Sequence, residues 1–134
     1  MQDETLFIGL NLVGSTVHDS DEGEDRLADN ANWLRSQYQQ NLEELSAIVI
    51  FGHANMVDFG ANKFEVFTSE MISIATEFAK PMVYIQGDGH LWIDDQPWSP
   101  VNLRRIQIEG GKIFMDVRVD VKNIEPFEFV RDAY

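Results

Sequence analysis

Three short apolar runs mark the first two thirds of the chain, and a glycine follows each of them. They cover residues 6–13, 47–51 and 82–85. An apolar run of four to eight residues bounded by turn residues is typical of a strand buried on both faces. The pattern therefore predicts three buried strands, each followed by a glycine-containing loop.

Between these runs the apolar residues recur at the spacing of an amphipathic helix. One stripe predicts a helix over residues 25–45, and a second follows residue 70. The stripes consist of Leu27, Ala31, Leu34, Tyr38, Leu42 and Leu45, and of Met71, Ile74, Ala75 and Phe78. Pro81 marks the end of the second helix. Strands joined through helices are expected to be parallel.

The last third of the chain changes pattern. Residues 101–108 and 112–121 predict two further strands, and Gly110-Gly111 between them indicates a tight turn. We therefore expect an α/β fold, a partial αββα-type sandwich in which three strands alternate with two helices and an antiparallel β-hairpin follows. The 134 residues are enough for a single domain, residues 1–134, which we expect to be partial.

The net charge of the chain limits the classes of molecule that we expect it to bind. Ten Lys and Arg residues stand against 23 Asp and Glu residues, a net charge of −13. Nucleic-acid backbones and anionic membranes require clustered cations, so we expect neither as a partner. An anionic substrate would need a local positive charge, which a bound metal ion supplies efficiently. The chain has no cysteine, which excludes disulfides and thiolate metal sites.

Two of the predicted strands end in glycine followed by histidine. Gly52-His53 follows the second strand, and Gly87-Asp88-Gly89-His90 follows the third. Parallel strands would place both turns at the same carboxyl edge, where open α/β sheets bind ligands. Imidazole and carboxylate groups are suitable ligands for zinc, iron or manganese. The residue chemistry alone leaves a metal site and two incidental turn histidines equally open.

These two turns resemble the late motifs of calcineurin-like metallophosphoesterases, which are a histidine at the end of one strand and a Gly-His-x-His turn at the next. Asp88 stands where the first histidine of that turn is usual. Segments 96–98, 103–106 and 116–120 are also similar to a subgroup of that superfamily. The likeness covers nearly the whole chain, which therefore looks like the C-terminal half of such a domain.

The resemblance implies a metal site and an activity. His53 and Asp88 would bind one metal ion and His90 a second, with manganese, iron or zinc as the metal. The complete enzyme would hydrolyse phosphate mono- or diesters. Outside the late turn Gly87-Asp88-Gly89-His90, the family's early motifs, Asp-x-His, Gly-Asp and Gly-Asn-His-Asp/Glu, do not occur in this chain. We therefore expect an incomplete site and little or no activity from the chain alone.

Two other functions stay open. The first is a catalytically incomplete half-domain that forms a homo-oligomer through an uncovered sheet surface. The second is an acidic α/β binding module whose histidines are incidental.

Several neighbouring residues have a functional and a structural interpretation. Asn55 and Asp58 follow His53 closely and are candidates for a substrate pocket or for a surface turn. Trp92 either forms a wall of the site or packs in the core. His18 is expected in a solvated loop. The Arg104-Arg105 pair has a phosphate contact as its functional interpretation, and an ion pair is the interpretation we favour.

Overall fold

The computed structural model describes residues 1–14, 19–58 and 60–132. Its strands and helices are β1 (Thr5–Gly9), α1 (Ser20–Asn41), β2 (Ala47–Phe51), α2 (Glu65–Phe78), β3 (Met82–Gln86), β4 (Ile93–Asp95), β5 (Leu103–Gln107), β6 (Met115–Val119) and β7 (Phe127–Arg131). Two short 3₁₀ helices cover Leu42–Glu44 and Ala61–Phe64. Within these described ranges, no helix is long and apolar enough to cross a membrane.

The strands form one five-stranded sheet and a separate hairpin. The sheet order is β1-β2-β3-β5-β4, in which only β4 runs antiparallel to its neighbour. Strands β6 and β7 pair antiparallel outside this sheet. The predicted α/β class is confirmed, with three strands alternating with two helices and an antiparallel hairpin at the C-terminal end.

Alternate residues of the sheet face two different cores. Ile48, Ile50 and Tyr84 are buried against the two helices. Val49 and Val83, one residue along in each strand, are buried with the hairpin on the opposite face. This alternation explains the continuous apolar runs, because a central strand covered on both faces has no solvent side. The layers are therefore helices, sheet and hairpin.

The strands of the hairpin differ from those predicted. We expected residues 101–108 to pair with 112–121, but β5 belongs to the main sheet and β6 pairs with β7. Leu103 and Ile106 are fully buried on opposite faces of β5, as a central strand requires. Gly110 and Gly111 do form a turn, with φ values of 72° and 69°. That turn carries the chain from the sheet into the hairpin layer.

The first helix begins earlier than its apolar stripe predicts. Asp19 caps it by accepting hydrogen bonds from the backbone N–H groups of Asp21 and Glu22, at 3.0 and 3.2 Å. Residues 20–24, which precede the predicted start of the helix at residue 25, therefore form its first turn. The loop prediction for His18 falls outside the described residues.

A pair of aliphatic substitutions tests the assignment of the helix core. Leu34 is fully buried in α1, whereas Val66 on α2 is 53% exposed. Leu34→Ala should lower the free energy of unfolding by about 2–5 kcal/mol, because it leaves a cavity between helix and sheet. Val66→Ala should change it by less than about 0.5 kcal/mol. Urea unfolding measures both, and equal effects would contradict the described packing.

Candidate functional site

Three loops meet at the carboxyl edge of the parallel strands β1, β2 and β3. Backbone hydrogen bonds hold them together, from Leu10 N–H to the Phe51 carbonyl at 2.8 Å, from Ala54 N–H to the Leu12 carbonyl at 3.2 Å, and from Gly52 N–H to the Ile85 carbonyl of β3 at 3.0 Å. Parallel strands direct their following loops to the same edge, so this meeting follows from the topology. The two glycine–histidine turns predicted as a site are parts of this edge.

His53 and Asp88 lie side by side at this edge. The distance from His53 Nε2 to Asp88 Oδ1 is 3.7 Å. The imidazole is 64% exposed and the carboxylate 25%, so both are accessible to a ligand from solution. A Cβ at Gly14 would lie 3.1 Å from Asp88 Oδ2, and one at Gly87 would lie 3.2 Å from His53 Nδ1. Larger residues at either glycine would crowd the pair.

His90 is on the same edge but beside a different turn. A Cβ at Gly110 would lie 3.6 Å from His90 Nδ1. Among residues 1–14, 19–58 and 60–132, no group of three or more His, Cys, Asp or Glu side chains could hold a metal ion. The structure thus brings two of the three predicted ligands together.

The backbone of the Asp88–His90 turn is unusual at both predicted ligands. Asp88 has a φ of 69° and His90 a φ of 52°, which lie in the left-handed region. Aspartate and histidine enter this region more often than most residues, yet each still costs on the order of 1–3 kcal/mol. Strained residues of this kind cluster at ligand sites, and here they project from the end of a buried strand.

A metal ion fits this edge only in part. His53 and Asp88 offer one imidazole and one carboxylate, a donor set that suits a transition metal. Catalytic zinc sites use three protein ligands, and the described residues bring two together. The described residues therefore bring together only two of the donors that such a site requires, and further donors would have to come from outside them.

Asn55 is the centre of a buried polar network beneath this pair. Its side chain is buried and donates to Gln107 Oε1 at 2.9 Å and to Asp58 Oδ2 at 3.0 Å. Its backbone N–H points to Asp88 Oδ2 at 3.4 Å. Its Oδ1 accepts from the backbone N–H groups of Val57 and Asp58. The loop after β2 is therefore fixed against β5 and against the turn that carries Asp88.

Arg105 anchors the same network to β5. Its side chain is only 4% exposed and lies 2.6 Å from Asp95 Oδ2 and 2.9 Å from Asp58 Oδ2. These carboxylates raise the pKa of the guanidinium, while burial acts in the opposite direction. Hydrogen bonds from Asn55 and from Arg105 lower the pKa of the Asp58 carboxyl. The ion pairing expected for Arg105 is confirmed.

A shallow cleft opens beside His53, but it does not include the residues predicted to line a pocket. The cleft has a volume of ≈ 630 Å³. Its walls among the described residues are Gly9, Leu10, Asn11, Phe51, Gly52, His53, Ile85, Gln86, Gly87 and Ile108. Asn55 is buried below it, Asp58 is bonded to Arg105, and Trp92 lies under Arg131 at 4.8 Å. A substrate-pocket role for these three residues stays a prediction.

Two glutamines that the sequence analysis did not single out belong to the network. Gln107 Nε2 donates to the Leu91 carbonyl at 3.0 Å, so its Oε1 is the atom that accepts from Gln86 Nε2 at 2.9 Å. This orientation leaves Gln86 Oε1 as a buried acceptor without a partner in the described structure. For Gln86 the sequence signal was a polar residue at the carboxyl end of an otherwise apolar strand.

Comparisons with protein-family models, with curated proteins and with solved structures each found no match.

The lowered pKa of Asp58 predicts a pH dependence of stability. A carboxyl whose folded-state pKa lies below its ordinary value of 3.8 stabilises the fold above that value and loses this contribution as pH falls through the folded-state pKa. Asp58→Asn should therefore weaken the loss of stability below about pH 4. Asp29→Asn, on the exposed face of α1, is the control. Thermal unfolding between pH 2.5 and 7 measures both, and identical profiles would contradict the assignment.

Proposed function

We propose that this chain is the metal-binding C-terminal part of a phosphoesterase that hydrolyses phosphate mono- or diesters. The observation that supports it best is the approach of His53 Nε2 to Asp88 Oδ1 at 3.7 Å, in the loops that follow the neighbouring parallel strands β2 and β3. These residues occupy the positions at which the motifs resemble those of calcineurin-like metallophosphoesterases. His90, on the same turn as Asp88, is the ligand proposed for a second metal ion.

The electrostatics of the chain agree with a metal-dependent reaction. With a net charge of −13, the protein repels a phosphate ester unless a local positive charge faces it. A manganese, iron or zinc ion would supply that charge and activate water for attack on phosphorus. Among the chain's own residues, His53 is exposed enough to accept a metal ion, and Asn55 holds the Asp88 carboxylate in place.

The same geometry limits the activity expected of the isolated chain. Two convergent ligands bind a metal ion more weakly than three or four. Efficient hydrolysis therefore requires donors that the described part of the chain does not bring together, and the chain alone should be inactive or weakly active. The catalytically incomplete half-domain and the phosphoesterase would therefore share this site, and they differ in whether it supports hydrolysis.

Metal titration tests the proposal directly. Zinc or manganese added to the purified, metal-free chain should bind, and Asp88→Asn should weaken that binding by at least roughly 10-fold, the loss that even an outer-shell substitution causes. Asparagine tolerates the left-handed backbone, so the fold should survive. Asp29→Asn, an acid on the exposed face of α1, is the matched control. Calorimetry measures all three proteins, and equal affinities would contradict the proposal.

A second measurement addresses the reaction. With added manganese, p-nitrophenyl phosphate and its bis ester should be hydrolysed slowly by the wild-type chain, and more slowly by His90→Asn, which preserves tolerance for the left-handed backbone. Metal binding without any hydrolysis would support a vestigial site. Absence of both metal binding and hydrolysis would favour the alternative of an acidic α/β binding module with incidental histidines.

A further inference from the structure

The hairpin covers only one side of the main sheet. Arg104 of β5 lies over the Phe129 ring at 5.1 Å, and Arg131 lies over Trp92, just before β4. Strand β7 is therefore above the β5–β4 side, and β6 is above the middle of the sheet. Beyond β6 the face of β1 and the end of β2 are open, where Phe7 is 42% and Phe51 38% exposed. The molecule thus has a stepped profile, in which β1 and β2 extend beyond the hairpin as an overhang.

The open side of the hairpin is a strand edge. Asp120 N–H bonds to the Pro126 carbonyl at 2.9 Å, so the even-numbered residues of β6 bond to β7. The odd-numbered residues direct their N–H and C=O groups away from β7, toward the open face. These residues are Met115, Val117 and Val119. No described strand lies beside them.

The other open edge is β1, which has β2 as its single neighbour in the described sheet. Leu10 N–H bonds to β2, so the odd-numbered residues of β1 point outward. Gln2 occupies the outward groups of Thr5 through two backbone hydrogen bonds of 2.8 and 2.9 Å. The open part of this edge therefore consists of Phe7 and Gly9.

We propose that two copies of this chain interlock, step against step, about a two-fold axis parallel to the strands. The exposed β1–β2 face of each copy then lies on the same face of the other, about 10 Å away. Each β1 enters the layer of the partner's hairpin and pairs with β6. The result is two seven-stranded sheets with helices on both outer faces.

Strand direction supports this arrangement. β6 begins after the Gly110 turn, beside His90 at the carboxyl edge, and the hairpin's far turn places Glu125 within electrostatic reach of Arg104. β6 therefore runs opposite to β1, and the two edges meet as an antiparallel pair. Gly9 lies opposite Met115 of the other copy in this pairing. The dimer therefore pairs both open strand edges and covers the open apolar face at the same time.

An antiparallel dimer through β6 alone is excluded by sterics. If β6 paired with its own copy, a two-fold axis perpendicular to the sheet would place both main sheets in one layer. The overhanging strands β1 and β2 would then occupy the same space as the partner's sheet. In the interlocked arrangement the two overhanging strands of one copy lie beside the two-stranded hairpin of the other. The two copies therefore fit together without this clash.

The interlocked dimer has a consequence for the proposed metal site. An axis parallel to the strands places both carboxyl edges at the same end of the sandwich. The His53–Asp88 pair of one copy then faces that of the other across the sheet spacing of about 10 Å. This consequence rests on the proposed function, whereas the dimer itself rests on the strand edges and the apolar face.

Cysteine cross-linking tests the pairing, because the chain has no cysteine of its own. Gly9→Cys combined with Met115→Cys should give a covalent dimer on mild oxidation. Within one copy these residues lie in layers about 10 Å apart, beyond the ~7 Å between Cα atoms that a disulfide spans. A Cβ at Gly9 meets no atom within 4 Å, so the substitution should be tolerated. Gly9→Cys with Ile124→Cys, at the opposite end of the hairpin, is the control.

The mass of the native protein in solution provides the second measurement. Light scattering should give twice the monomer mass, with the dimer favoured by salt because each copy carries a net charge of −13. Phe7→Glu should shift the protein to monomer, and Val66→Glu, on the outer helix layer, should not. Asp88→Asn should dimerise as well as the wild type, so failure of the metal site and failure of the dimer are distinguishable.

Three results would overturn the inference. They are a monomer at every salt concentration between 0.05 and about 1 M, a dimer that Phe7→Glu leaves intact, and equal cross-linking of the two cysteine pairs.

Discussion

The buried hydrogen bonds of Asn55 are the constraint on which the geometry of the candidate site depends. A loop that follows a buried strand has no regular backbone pairing, so side chains must fix its course. Asn55 does so by bonding to Gln107 on β5, to Asp58 in its own loop, and through its N–H to Asp88. Removing it would leave several buried polar groups without partners, each costing roughly 1–3 kcal/mol. The position of His53 follows from this network.

The network also explains how an acidic chain tolerates a buried guanidinium. Arg105 is almost fully enclosed, and a buried charge is stable only when it is paired and hydrogen-bonded. Asp95 and Asp58 meet that requirement from two different segments, which joins the β4 strand and the loop after β2 to β5. The carboxylates that balance this charge are therefore committed to structure. His53 and Asp88 are outside this set of ion pairs, with side chains that are 64% and 25% exposed.

Sequence periodicity predicted the parts of the fold that depend on local pattern. The strands at β2 and β3 and the helix stripe ending at Phe78 follow from apolar spacing, and the shared carboxyl edge of His53 and Asp88 follows from parallel topology. Pairing of β6 with β7 instead of β5 could not be predicted, because alternation identifies a strand but not its neighbour. The burial of Asn55 was also missed, since its bonds are to residues up to 52 positions away.

Amide hydrogen exchange of the loop after β2 tests this account most directly. The account predicts that Asn55→Ala raises exchange at Val57 and Asp58, whose N–H groups bond to Asn55 Oδ1 at 3.1 and 3.0 Å, while Val49 in the core of β2 stays protected. Unchanged exchange at both loop amides would show that the buried network does not hold the loop, and would contradict the account.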